Sequence, residues 1–355
     1  MKVIFAGAGT AGHVEPALAV ANWLRANRPD IDLLFLGTSG GLENSLVPDS
    51  EFELYLIGKA PFPRRLGKDL FIWPFRFRRT VEQTRKALIG ADLVVGFGGY
   101  VAAPAYVAAR RMGLPIIAHE ANAKMGLANK LAKGCGAKVL LAFGEGPSVG
   151  VGIPLRNSII EMAKVPHDLR LQAKQRALQE MKLDPIAPTL LVFGGSLGSA
   201  KFNEVISEAR IKILQKGFQI IHVVGSKNDL PRAEAGYFPV KYFKDMASAY
   251  AAADLVISRS GAVTVTETGV LGIYSLYVPL PIGNGEQLEN ARAVVSHGGG
   301  AIIANEKFTV AWLLDNIVDL MKCASNWSDQ SKRVEFPLNA SEQISVEILK
   351  VLNHE

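Results

Sequence analysis

An apolar run closes on a glycine loop and opens into a helix where the sequence begins. Lys2-Val-Ile-Phe-Ala6 leads into Gly7-Ala-Gly-Thr-Ala-Gly12, and helical spacing runs from Pro16 to Asn27. The unit recurs at Thr189-Leu-Leu-Val-Phe193, with Gly194-Gly-Ser-Leu-Gly-Ser199 and a helical stretch through Leu214 behind it. A strand that is apolar on both faces needs cover on both faces, which a parallel sheet flanked by helices provides. Further runs at Asp32–Leu36, Asp92–Val95, Leu114–Ala118, Phe218–Val224 and Asp254–Ile257 alternate with helical stretches. That alternation predicts a doubly wound α/β fold. Its restart at Thr189, in a chain of 355 residues, predicts two such domains in tandem rather than one large sheet.

The Gly- and Pro-containing stretch Gly144–Arg156 reads as the linker between two Rossmann-like domains, and the charged stretch Glu161–Lys182 as the first surface helix of the second. Ser341–Leu352 is a short amphipathic stretch. Hydrophobic residues at 49% against 20% charged exclude a disordered chain. Cys135 and Cys323 cannot build a disulfide framework and have no neighbouring histidine for zinc, so two buried thiols in a reducing compartment are expected. The apolar run at the start is too short for a signal peptide. Leu93–Ala109 and Thr268–Gly285 approach the ~18 residues of a membrane helix. Glycine and proline interrupt both, so strand, turn and helix start are expected there, in a protein that does not cross a membrane.

Gly7-Ala-Gly-Thr-Ala-Gly12 fits G-x-G-x-x-G in the strand-to-helix setting that a dinucleotide site requires. Glycines let backbone approach a phosphate, and a helix N-terminus favours its charge by ~0.3–1 kcal/mol. NAD would also need an acid at the end of the second strand, and Leu36-Gly-Thr-Ser-Gly40 has none. His13 falls in the first helical turn at the carboxyl edge of the sheet, where a neutral imidazole able to take a proton is expected. The competing reading is a histidine that braces the loop. Ser196 and the amides after it suit a diphosphate, and so does the helix start after Arg259-Ser-Gly261. Glu267 suits a ribose diol; Gln287 and Asn290 follow the Gly283-Asn-Gly loop. No metal site is expected, because His-Glu-x-x-His and cysteine pairs are missing. Asp30-Ile-Asp32 lies at a strand entry, the wrong end of the sheet for a ligand.

Nine basic residues (Lys59, Arg64, Arg65, Lys68, Arg76, Arg78, Arg79, Arg85, Lys86) stand against Asp69 and Glu82 alone, interleaved with Phe62, Phe71, Ile72, Trp73, Phe75 and Phe77. This mixture suits an anionic membrane surface, each base adding ~1 kcal/mol. A solvated helix with core aromatics is the competing reading. Nucleic acid is not expected, since two glycine loops already point to a nucleotide-sized ligand.

Together these motifs resemble the MurG family, which transfers N-acetylglucosamine onto lipid I in peptidoglycan synthesis. The resemblance rests on Gly9-Thr-Ala-Gly-His13 with Pro16-Ala-Leu-Ala19, Gly98-Gly-Tyr100 with Pro104, His119-Glu120 with Asn122 and Gly126, and Gly152 with Pro154 and Arg156. It continues through Gly194-Gly-Ser196, Arg259-Ser-Gly-Ala262 with Glu267, and Gln287 with Asn290-Ala291. It implies a GT-B fold, two Rossmann-like domains facing a central cleft, and metal-independent catalysis with inversion at the sugar. It also implies an acceptor and membrane-association domain over 1–156, joined by a C-terminal helix at 338–355, and a UDP-N-acetylglucosamine domain over 157–337. By resemblance, donor contacts fall on Thr10, Ala11, Gly12, Asn122, Arg156, Ser196, Phe243, Ala262, Val263, Thr264, Val265, Thr266, Glu267 and Gln287. His13 matches the residue proposed as base, and Tyr100 and Glu120 line the acceptor side.

The resemblance implies no cofactor, UDP-N-acetylglucosamine being a substrate. Its expected partners are lipid I, the anionic cytoplasmic face of the cell membrane as a peripheral protein, and cell-wall synthesis or division proteins. The chain departs from the family pattern at Ala8 and Ala11 (usually glycine), Ala121 (glutamine), Ile153 (asparagine) and Glu286, where a carboxylate could repel a diphosphate. The alternatives are another GT-B enzyme (a different lipid acceptor, or a UDP-sugar epimerase), an NAD-dependent oxidoreductase, and a non-catalytic UDP-binding protein.

Overall fold

The computed structural model describes residues 1–63, 68–143, 150–281, 284–330 and 332–354, with the side chains of 68–70, 167, 168 and 329 undescribed. Arg64, Arg65 and the Lys68 side chain of the basic segment, residues 144–149 of the expected linker and Gly283 lie outside the described residues. The chain divides into two compact units, Met1–Arg156 with Pro337–Glu355, and Asn157–Phe336.

The first unit alternates β1 (Lys2–Gly7), α1 (Ala11–Asn27), β2 (Asp32–Thr38), α2 (Glu43–Asp49), β3 (Glu53–Ile57), α3 (Lys68–Ala87) and β4 (Leu93–Gly98). It continues with α4 (Ala102–Met112), β5 (Ile116–Glu120), α5 (Leu127–Gly134) and β6 (Lys138–Leu141). The six strands are parallel in the order β3-β2-β1-β4-β5-β6. The central strands are buried on both faces, as their unbroken apolar sequence requires. In-register Phe5 and Phe35 stack at 5.1 Å, and each buried ring contributes about 1.5–3 kcal/mol.

The second unit holds α6 (Asn157–Lys164), α7 (His167–Glu180), β7 (Thr189–Phe193), α8 (Ala200–Gln215), β8 (Gln219–Val223), β9 (Tyr237–Val240), α9 (Met246–Ala252) and β10 (Leu255–Ser258). After these come α10 (Ala262–Leu271), β11 (Ser275–Tyr277), α11 (Glu286–Val295), β12 (Gly300–Ile302) and α12 (Val310–Asp329). Its sheet order, β12-β11-β10-β7-β8-β9, is the first sheet's order read from the other edge. The last helix, α13 (Ala340–Leu352), belongs to the first unit and buries Ile344 and Ile348 in the core with Val14, Leu18 and Phe97. In each sheet the order reverses between two neighbouring strands, β1 and β4 in the first and β7 and β10 in the second. Connections leave these strands in opposite directions, so a crevice opens at their carboxyl ends.

Four expectations need correction. Glu161–Lys182 is two helices, because Pro166 disfavours helical backbone at Val165. Cys323 is exposed on α12 and Cys135 only partly buried, so neither is a buried core thiol. Thr268–Gly285 begins inside α10 and reaches β11 before its loop, whereas Leu93–Ala109 runs from strand through turn to helix as expected. The first helix starts at Ala11, five residues before the expected Pro16.

Candidate active site

In the first unit the crevice is built from the loops after β1, β4 and β5. Thr10 caps α1 in extended backbone, and its Oγ1 lies 3.2 Å from His13 Nδ1 instead of capping an amide. The imidazole reaches over the end of β4. A Cβ on Gly98 would come within 2.9 Å of its ring, and a Cβ on Gly99 would collide with the Ala8 carbonyl. Both residues have positive φ, so glycine is required there on two counts. Burial pushes the His13 pKa below its ordinary value, against weaker upward pulls from a hydrogen bond with Ala8 and from Glu120 and Glu43. Burial thus favours the neutral ring, the form that can accept a proton. The neutral imidazole was expected from the helix N-terminus; burial is the larger cause.

Tyr100 is exposed beside Gly9. Glu120 is 3% exposed and wholly engaged: Oε1 accepts from Asn122 N and Nδ2, and Oε2 from Gly126 N and Asn129 Nδ2. It organises the loop carrying Asn122 rather than presenting a carboxylate to the crevice. Arg156 Nη1 lies 3.6 Å from Glu15 Oε1 on α1, near Thr10, Ala11 and Gly12 in sequence. His119 donates from Nε2 to the Gly152 carbonyl at 2.9 Å.

The second unit gathers its polar residues at the carboxyl ends of β7 and β10. Ser199 caps α8 by accepting from Phe202 N, three residues after half-buried Ser196. Gly261 starts α10 with no side-chain cap, leaving first-turn amides for an anion. Between the two loops sits Arg259. It donates to Ser199 Oγ at 3.2 Å and to the Val278 carbonyl at 2.9 Å, and lies 4.8 Å over the Phe202 ring. The motif around Arg259 assigns the arginine no role by itself; only the fold reveals that it spans both loops.

The run after Gly261 is not uniformly available. Val263 and Thr264 are half-buried, whereas Ala262, Val265, Thr266 and Glu267 are buried, and Val265 packs against Tyr277, Ala291 and Val294. Glu267 accepts from Tyr250 Oη at 2.8 Å. Gln287 Oε1 accepts from Leu280 N, and Asn290 Nδ2 donates to the Ser260 carbonyl, so both fix loops. Glu286 Oε2 accepts from Asn284 N at 3.0 Å, turning the carboxylate onto its own loop. Phe243 is half-buried before α9.

Two family models match the chain: the glycosyltransferase family 28 N-terminal domain over residues 3–141 and the C-terminal domain over 189–344. A Corynebacterium glutamicum protein is 43% identical over 99% of both chains, and a Streptomyces coelicolor protein 45% identical over 90% of this chain and 89% of its own. Both are named UDP-N-acetylglucosamine–N-acetylmuramyl-(pentapeptide) pyrophosphoryl-undecaprenol N-acetylglucosamine transferase. The chain belongs to the MurG family of glycosyltransferases. The crystal structure of Acinetobacter baumannii MurG, 28% identical, superposes with a TM-score of 0.67 over 98% of this chain and 99% of its own, and the fold is GT-B. Against the MurG pattern, the departure at Ile153 is absorbed as a core residue, 2% exposed.

Outside the crevices, α3 carries exposed Phe71, Ile72 and Phe75 beside exposed Arg76, Arg78 and Arg79. Trp73 instead packs inward, stacking on Phe77 at 4.9 Å and donating to the Ala60 carbonyl. The helix thus has one exposed face of aromatic and basic side chains and one face whose aromatics pack inward. Among the described residues, no helix is long and apolar enough to cross a membrane.

Proposed function

We propose that this chain transfers N-acetylglucosamine from UDP-N-acetylglucosamine to the 4-hydroxyl of the N-acetylmuramyl sugar of lipid I, forming lipid II with inversion. Near full-length similarity to proteins named for this reaction carries the reading. The acceptor oxygen attacks the anomeric carbon as the bond to the UDP oxygen breaks. His13 takes the hydroxyl proton, a role worth ~10²–10⁴ in rate. The departing diphosphate is held by the open amides of α10, the loop at Ser196, Arg259 and Arg156, whose charges and dipoles suffice without a cation. Glu267 takes the ribose diol, Tyr250 orienting its carboxylate. Thr10, Ala11, Gly12, Asn122, Phe243 and Gln287 complete the donor contacts, and Tyr100 lines the acceptor side.

In this reading α3 lays its exposed aromatics and arginines on the anionic cytoplasmic face of the membrane, where the lipid-linked acceptor resides. Radiolabel passing from UDP-N-acetylglucosamine to lipid I tests the reaction. Hydrolysis of the donor without transfer, or no turnover at all, would overturn it.

A further inference from the structure

We propose that Glu43 is a positioning residue for the catalytic loop, an internal carboxylate that occupies the place the glycine motif reserves for an anion. The role rests on the reading of His13 as base. Glu43 opens α2 and is completely buried. Its Oε2 accepts from Gly9 N at 2.9 Å, and its Oε1 from Thr38 N at 2.9 Å and Thr38 Oγ1 at 3.1 Å. All three bonds run toward the side chain, which suits a group with acceptors only.

The surroundings are shaped to it. A Cβ on Gly37 would stand 2.7 Å from Glu43 Cγ, and one on Gly41 would overlap the carboxylate. Gly9, the residue it holds, is left-handed at φ 97° and lies between the end of β1 and Thr10, the residue that meets His13 Nδ1. A bond from α2 therefore sets the turn from which the imidazole is aimed, and the Gly9 amide is already taken when a substrate phosphate arrives. The charged groups acting on His13 are Glu43 and Glu120; the Ala8 carbonyl and Thr10 Oγ1 are its polar neighbours.

Glu43→Gln presents an NH₂ to an N–H donor and breaks the arrangement, whereas Glu43→Asp keeps the charge on a shorter stem. The full chain, labelled with ¹⁵N-glycine and ¹³C-histidine, reports the Gly9 amide shift and the His13 titration midpoint; transfer assays give kcat and the KM for UDP-N-acetylglucosamine. Glu43→Gln is expected to move the Gly9 amide upfield, lower the His13 midpoint, and cut kcat at least tenfold with donor KM within twofold. Glu43→Asp is expected to recover part of each change. An unmoved Gly9 amide, or a full kcat, would overturn the proposal. So would a uniform loss of kcat, donor binding and melting temperature, which marks a merely structural residue. If wild type transfers no sugar while both spectral changes occur, the reading of His13 as base falls and the bracing of the loop by Glu43 stands.

Discussion

Replacing Glu120 by glutamine separates a residue that builds the acceptor-side loop from one that touches substrate. The carboxylate accepts four hydrogen bonds, two at each oxygen. A glutamine has one oxygen, so whichever way it turns, an NH₂ faces two donors. Each stranded buried donor costs about 1–3 kcal/mol, giving about 2–6 kcal/mol for the pair. The loop does not transmit this whole cost to global stability, because it can open locally. Hydrogen exchange at the Asn122 and Gly126 amides reads the local term directly. At least one of them should exchange roughly 5- to 150-fold faster, the equivalent of one lost bond. Exchange unchanged at both, with transfer nonetheless abolished, would refute the structural argument and return Glu120 to the substrate.

Three further outcomes follow from the geometry. Buried His222 donates through Nε2 to Asn203 Oδ1 at 3.1 Å and accepts from Tyr237 Oη at Nδ1, an arrangement for the neutral ring, and burial lowers its pKa to about 4. The unfolded chain therefore binds a proton first as pH falls. Stability present above about pH 6.5 should decline by roughly 3 kcal/mol toward pH 4, and urea titrations of His222→Asn showing the same slope would contradict this. Glu267→Ala should weaken UDP binding at least tenfold by calorimetry, with Tyr250→Phe weakening it less; unchanged affinity would remove Glu267 from the ribose. Substituting Arg76, Arg78 and Arg79 by serine should reduce sedimentation with anionic vesicles and leave neutral vesicles unaffected, and undiminished binding would assign α3 another task.

The parts legible in sequence were those that local chemistry dictates. Both glycine loops, the central strands β1, β4, β7 and β10, and the placement of His13 follow from apolar runs that must be buried and from turns only glycine can make. The outer strands escaped: β3 has exposed side chains, and β11 and β12 are three residues long, too short for a period to register. Side-chain roles depended on closure of the fold. No acid stands at the end of β2, yet Glu43, five residues past Thr38, turns back to the first loop. Glu120 is placed on the acceptor side by resemblance alone, and the four donors that its carboxylate gathers come from residues the sequence could not bring together. Arg259 acquired a role only when β7 and β10 became neighbours.

The most direct test of the account is the transfer rate of His13→Ala, followed with labelled UDP-N-acetylglucosamine and lipid I, alongside UDP affinity in the same preparation. The account predicts turnover at least about a hundredfold lower with UDP affinity nearly unchanged, and a wild-type rate that falls on the acid side only below the ordinary imidazole range, where the buried ring at last gains its proton. Turnover near wild type would contradict it.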